Sequence, residues 1–250
     1  SYSVTGVQTC ALPICARLER QVWRVPGEEC ALYVKRQLYR TGRVRLRYCL
    51  RRSPLAREAR MAVALAGLGL EVPRPLLLGE EGRGWHRGRS LLVTRELPGE
   101  PAAAALAAGR LELFDLAALL GELARLGVFH PDLHLRNLLL GTGGLALLDL
   151  QSVRRARGTL RGQRLLAMAA KLGVALQAGG HATAARWAAA LGAAGLLAGP
   201  AERERLARAE ARIRSAELAS RLRRCLRDST GFARERSEER RVGKECRSRW

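Results

Sequence analysis

Apolar and polar positions change rhythm partway along the chain. From Arg20 to about Tyr48 short runs alternate residue by residue, Val22-Trp23-Arg24-Val25 and Ala31-Leu32-Tyr33-Val34-Lys35, with the turn Pro26-Gly27 between them. That pattern predicts a small sheet, with Lys35 ending its strand. Ser53-Pro54 then starts a helix, serine as cap and proline at the first position, running through Glu58, Met61 and Leu65 to Gly67 and Gly69. Pro73–Gly79 and Ser90–Arg95 read as two further strands around the polar hairpin 80–89. From Pro101 onward the period is helical. Leu113, Leu116, Leu120 and Leu123 recur at threes and fours, which predicts an amphipathic helix over 111–126, ended by Gly127. Leu138-Leu139-Leu140, the turn 141–144 and Leu145-Ala146-Leu147-Leu148 predict a hairpin with Asp149 at its outgoing end. Residues 162–227 read as helical and rich in alanine and arginine. Their mixed charges, from Glu202-Arg203-Glu204-Arg205 to Arg227, read as a solvated helix face.

The two ends are set aside from the fold reading, because residues 1–14 and 236–250 resemble translated sequencing adapter. Ala11-Leu12-Pro13-Ile14 can be encoded by GCTCTTCCGATC, and Ser237-Glu238-Glu239-Arg240, with the last bases of Arg236, by its reverse complement. The leader has no positively charged start and its apolar stretch is interrupted, so it reads poorly as a secretory signal.

The chemistry is concentrated around one loop. Asn137 is the only asparagine of the 250 residues, and it stands five after Asp132 in His130-Pro131-Asp132-Leu133-His134-Leu135-Arg136-Asn137. Asp149, one of only four aspartates, follows on the next strand. An aspartate that accepts the proton of an attacking hydroxyl, an asparagine five positions on and a second aspartate that complete a magnesium site are what phosphoryl transfer requires. Outside the set-aside ends the chain has 36 arginines but only two lysines, Lys35 and Lys171. In such a background a retained lysine points to a need for a compact, flexible ammonium. Lys35 is therefore a candidate phosphate contact. Glu58, 23 residues on and in the predicted helix, is its candidate partner. Glu96-Leu97-Pro98-Gly99 reads as a hinge whose backbone receives an adenine ring. His130 reads as a residue that braces the loop.

Charge adds one constraint: the net +21 predicts attraction to an anionic partner. Aromatics are only 4% of the chain and are not interleaved with basic runs, which argues against nucleic acid. The longest apolar stretch, 187–199, is too short to cross a bilayer. Cys30, Cys49 and Cys225 are too widely spaced for a disulfide framework or a zinc site, which suits a reducing cytoplasm.

In this order and spacing, the residues resemble the protein-kinase-like superfamily. More narrowly they are similar to the bacterial lipopolysaccharide kinase family, in Tyr33-Val34-Lys35-Arg36, Arg51-Arg52-Ser53-Pro54-Leu55-Ala56-Arg57-Glu58 and the segment from Gly69 to Pro75. His130-Pro131-Asp132-Leu133, Leu148-Asp149-Leu150 and Arg224-Cys225-Leu226-Arg227 add to it. The resemblance implies an α+β, two-lobed fold: a small β-rich N-lobe with one helix over 15–97 and a mainly helical C-lobe over 98–235. It implies ATP and Mg2+ as cofactors, with Asp132 as base, Asn137 and Asp149 on the metal, and Lys35, Glu58, Glu96 and Leu97 at the nucleotide. The implied acceptor is a Kdo or heptose hydroxyl on lipid A. The implied setting is a monomer at the inner face of the cytoplasmic membrane, in peripheral contact with anionic lipid. Two departures stand out: no Gly-x-Gly-x-x-Gly precedes Lys35, and Leu150-Gln151 follows Asp149 where protein kinases have Phe-Gly. His134, two after Asp132, also matches the loop of aminoglycoside and choline phosphotransferases, the enzymatic alternative. A catalytically silent kinase-like binding protein is the non-enzymatic one.

Overall fold

The computed structural model describes residues 15–16, 20–27, 30–39, 42, 48, 52–82 and 88–225. The adapter-like ends, Cys49 and the tip of the 80–89 hairpin lie outside the described residues.

The alternating N-terminal runs form an antiparallel sheet. Its strands β1 (Cys15–Ala16), β2 (Arg20–Val25), β3 (Leu32–Leu38), β4 (Pro75–Glu81) and β5 (Arg89–Arg95) lie in the order β1-β2-β3-β5-β4. Lys35 is in the middle of β3 rather than at its end, because β3 pairs with β5 along its full length, from Leu32 opposite Arg95 to Leu38 opposite Arg89. On its other edge β3 meets β2 with Arg24 opposite Tyr33, Val22 opposite Lys35 and Arg20 opposite Gln37. Residues directly opposite in an antiparallel pair share a face, and the face repeats every second residue. One face therefore carries Arg24, Tyr33, Val22, Lys35, Arg20 and Gln37 in sequence along the strands.

Helix α1 (Pro54–Ala66) packs on this sheet and starts as its sequence predicts. The Ser53 hydroxyl accepts from the Ala56 N–H at 3.0 Å, and Pro54 occupies a position where its missing N–H costs nothing. Its buried stripe is Leu55, Ala56, Glu58, Ala59, Ala62 and Leu65, with Leu55 and Ala59 against Leu92 of β5. Glu58 is the one charged side chain in that stripe. Such a residue is tolerated only if something cationic meets it.

The second half begins with β6 (Glu100–Pro101) and α2 (Ala102–Ala107), followed by α3 (Leu113–Arg125). Helix α3 is closed at its start by a reciprocal cap between Glu112 and Asp115. Leu116, Leu120 and Leu123 are completely buried, each the kind of side chain whose truncation to alanine costs about 2–5 kcal/mol. Leu113 is only partly buried. Gly127, at φ 70°, turns the chain out of α3 into β7 (Val128–Phe129). A side chain there would lie 2.4 Å from the Gly158 carbonyl oxygen, so only glycine passes. The predicted hairpin is β8 (Leu138–Gly141) with β9 (Gly144–Leu147), and β10 (Arg154–Arg155) returns to pair with β7.

Among the described residues, 162–225 holds three helices, α4 (Gln163–Ala178), α5 (Ala184–Ala193) and α6 (Pro200–Cys225), with Gly180 and Gly195 at positive φ in the breaks. Trp187 of α5 is fully buried and donates its indole N–H to the Ala169 carbonyl at 3.0 Å. Helix α6 corrects the reading of its charges as one solvated face. Leu206 and Glu210 are buried, and Glu210 accepts from the Gln177 side chain at 2.7 Å. The charges hid this stripe because α6 carries few apolar residues to mark it.

Candidate active site

The two halves meet through a run of charged side chains. The Lys35 ammonium donates to Glu58 Oε1, and Glu58 is only 3% exposed. A buried carboxylate so paired keeps the lysine at one place over the cleft. Arg20 of β2 reaches in beside them, its guanidinium 4.0 Å from Glu58 Oε2 and 3.7 Å from Asp149 Oδ1. Glu58 and Asp149, 91 positions apart, are thus bridged by one arginine.

Asp149 lies two residues beyond the end of β9 and has φ 51° and ψ 61°, the only non-glycine residue at positive φ among the described residues. Aspartate tolerates this left-handed conformation better than most residues. Just before it, the Leu148 N–H donates to the Asn137 carbonyl at 2.8 Å, which ties the metal-candidate strand to the loop carrying Asn137.

That loop is fixed from inside. Asn137 donates through Nδ2 to the Asp132 backbone carbonyl at 3.0 Å, and the same nitrogen lies 3.3 Å from His134 Nε2. Its Oδ1 accepts from no described residue. His130 is fully buried beneath the loop: its backbone N–H lies 3.3 Å from Met168 Sδ and its Nε2 donates to the Leu148 carbonyl at 3.3 Å. Burial pushes the His130 pKa down, so the ring is a neutral brace between the loop and the strand leading to Asp149. The Asp132 carboxylate, by contrast, is open, 54% exposed, with His134 Nε2 at 3.6 Å and Lys171 Nζ at 3.7 Å as its neighbours.

Lys171 and Arg20 are the residues that sequence reading did not place here. Lys171, on α4, also donates to Glu217 of α6 at 2.8 Å. Its signal was present, since it is one of two lysines among dozens of arginines. Arg20 carried no signal, being one arginine of many.

At the hinge, the Glu96 carboxylate receives a two-pronged hydrogen bond from Arg24 at 2.7 and 2.8 Å and lies 3.4 Å from the Tyr33 hydroxyl. Arg24 holds its carboxyl below the usual range. The side chain is therefore committed, and so is the backbone N–H of Glu96, which donates to Ala31. The Glu96 carbonyl and the Leu97 N–H, the two polar groups of one trans peptide and pointing to its opposite sides, meet no described partner.

These residues suit a nucleotide with magnesium. Magnesium is commonly held by one or two protein oxygens together with substrate phosphates. Asp149 Oδ1 is buried without a hydrogen-bond partner, and Asn137 has only its Oδ1 left to offer. Three or more clustered His, Cys, Asp or Glu residues, as a dedicated all-protein metal cage would need, do not occur among the described residues. A cavity of about 760 Å³ between α4, α5 and α6 is lined by none of these residues.

The family model described as "Lipopolysaccharide kinase (Kdo/WaaP) family" matches residues 19–166. That span contains Arg20, Lys35, Glu58, the hinge, the 130–137 loop and Asp149, and stops short of Lys171. No curated protein sequence matches the chain. Among solved structures it is similar to WaaP in complex with acyl carrier protein, at 19% identity and TM-score 0.50, over 92% of this chain and 88% of that one. It also matches the bifunctional kinase-methyltransferase WbdD at 18% identity and TM-score 0.48, over 77% of this chain and 47% of that one. A MAP kinase from Leishmania major matches at 14% identity and TM-score 0.44, over 69% and 56%.

Proposed function

Because the chain belongs to the lipopolysaccharide kinase (Kdo/WaaP) family, we propose that it transfers the γ-phosphoryl group of ATP to a hydroxyl of an inner-core sugar, Kdo or heptose, carried on lipid A. One observation carries the reading: a run of contacts from Lys35 through Glu58 and Arg20 to Asp149, from its chain neighbour Leu148 to the backbone of Asn137, and from the Asn137 side chain to the backbone of Asp132. The lysine proposed for the phosphates, both proposed metal residues and the proposed base lie in that run.

The adenine is received by the hinge backbone at Glu96-Leu97, one polar group of that peptide facing the base, and Lys35, held by Glu58, lies against the phosphates. Asn137 Oδ1 and the Asp149 carboxylate would hold magnesium, which would offset the negative charge of the phosphates. Asp132 faces the open side of the loop, where a sugar hydroxyl can approach. Its carboxylate orients that hydroxyl and accepts its proton as the oxygen attacks phosphorus. The net charge of +21 suits an acceptor that bears carboxylates and phosphates at an anionic membrane surface. No helix among the described residues is long and apolar enough to cross a membrane. We place the protein, as a monomer, peripherally at the inner face of the cytoplasmic membrane.

The test is mass spectrometry of Kdo-lipid A and its heptosylated form after incubation with the full chain, ATP and magnesium. Addition of one phosphate to either is the expected result. ATP binding with no phosphate on either acceptor would move the assignment to a small-molecule alcohol.

Lys171 enters this reading as a positioning residue for the base. Its ammonium lies between Asp132 and Glu217, so it steadies an otherwise exposed carboxylate from the helical side. Lys171→Met is expected to lower kcat on the order of 10–10²-fold, the scale of a slightly misplaced reactive group, while leaving KM for ATP within about twofold. Initial rates against ATP and acceptor separate the two. An unchanged kcat would remove Lys171 from the machinery.

A further inference from the structure

We propose that Arg20 is a phosphate-binding residue, supplying from the first long strand a cation that replaces the missing glycine-rich lid. This rests on the reading of the cleft as a nucleotide site. Kinases with a Gly-x-Gly-x-x-Gly loop cover the phosphates with loop backbone. Here no such sequence precedes Lys35, which leaves that duty unfilled.

The register of the sheet shows where Arg20 stands. Arg24 and Tyr33 share the cleft face with the hinge carboxylate Glu96, Val22 and Lys35 follow, and Arg20 comes next. From Arg24 to Arg20 is four residues of strand, about 13 Å. A nucleotide laid along that face with its base at the hinge thus has its phosphates between Lys35 and Arg20.

Polar atoms left over at this end agree. Arg20 Nε, Glu58 Oε2 and Asp149 Oδ1 are all buried, and none has a hydrogen-bond partner. The arginine is only 25% exposed and lies between the two carboxylates at ion-pair rather than hydrogen-bond distance. Magnesium satisfies a carboxylate oxygen but never a guanidinium. What completes Arg20 is an anion with several oxygens, which a polyphosphate supplies and to which the planar fork of arginine is matched. Burying a guanidinium so incompletely paired is costly unless a ligand finishes the job.

The test is calorimetric binding of ATP, ADP and adenosine, with magnesium, to the full chain made inactive by Asp132→Asn, with Arg20 intact or changed to Met or Lys. Arg20→Met is expected to weaken ATP about 10–100-fold, the loss of one or two charge-assisted hydrogen bonds, and to weaken ADP in the same direction. Adenosine binding stays within about twofold. Arg20→Lys falls between, and it keeps the comparison possible if the methionine protein does not fold. Equal ATP affinity in the Lys and Met variants and the Arg20 protein would overturn the proposal while leaving the nucleotide site standing. Tighter ATP binding without Arg20 would overturn it too, and would make the arginine a plug. No ATP binding by the Arg20 protein would overturn the kinase reading and the role of Arg20 with it.

Discussion

Asp132→Asn is expected to lower phosphate transfer about 10³-fold, within the range of roughly 10²–10⁴ that a positioned general base contributes, with the fold unchanged. The reason lies in how the loop is held. Asn137 is fastened to the backbone carbonyl of Asp132, not to its carboxylate, so the substitution leaves that bond in place. His130 braces the loop from below with no contribution from the Asp132 side chain. The carboxylate itself is more than half exposed, and its pairing with a fixed cation among the described residues, Lys171 at 3.7 Å, is of the kind worth about 1 kcal/mol or less. For a chain of this size that is about 4 °C in Tm at most. Transfer measured by mass spectrometry beside a thermal melt separates chemistry from folding. Near-normal transfer by Asp132→Asn would mean that another group takes the proton, and His134, 3.6 Å away, would be examined next.

The parts of this site that were legible in the sequence are those where residue choice is scarce. Asn137 has no competitor in the chain, Asp149 has few, and Lys35 stands out against dozens of arginines. Glu58 was legible through its helix, whose start is written in Ser53-Pro54 and whose apolar stripe leaves a carboxylate on the inner face. Arg20 was not, because its role depends on register: only pairing Val22 with Lys35 puts it on the cleft face. Lys171 was visible as an anomaly but had no address, since its neighbour Asp132 is 39 positions away and the two meet only when α4 packs beneath the loop. The charged stripe of α6 failed for the opposite reason. Glu210 is buried by a glutamine and an arginine rather than by an apolar partner, and hydrophobic periodicity is blind to that exchange.

Asp149→Asn is expected to abolish the magnesium dependence of ATP binding and to reduce transfer by roughly 10²-fold or more, as loss of a principal electrostatic element does. Asparagine is the informative choice because Asp149 is in the left-handed region, which asparagine also accepts. It removes the charge and keeps the backbone. Asp149→Ala would add a backbone cost of about 1–2 kcal/mol and confuse the two effects. The sign of the result without magnesium is equally specific. Asp149 then presents an uncompensated negative charge to the phosphates, with Arg20 at 3.7 Å drawn partly toward it. Replacing it by asparagine removes a repulsion and frees the guanidinium, so magnesium-free ATP binding becomes no weaker, and tighter if Arg20 is the phosphate ligand. Calorimetry with and without magnesium reads both arms. Magnesium dependence retained in Asp149→Asn would take the metal away from Asp149, whereas weaker magnesium-free binding would show that the carboxylate aids the nucleotide by some route other than the cation.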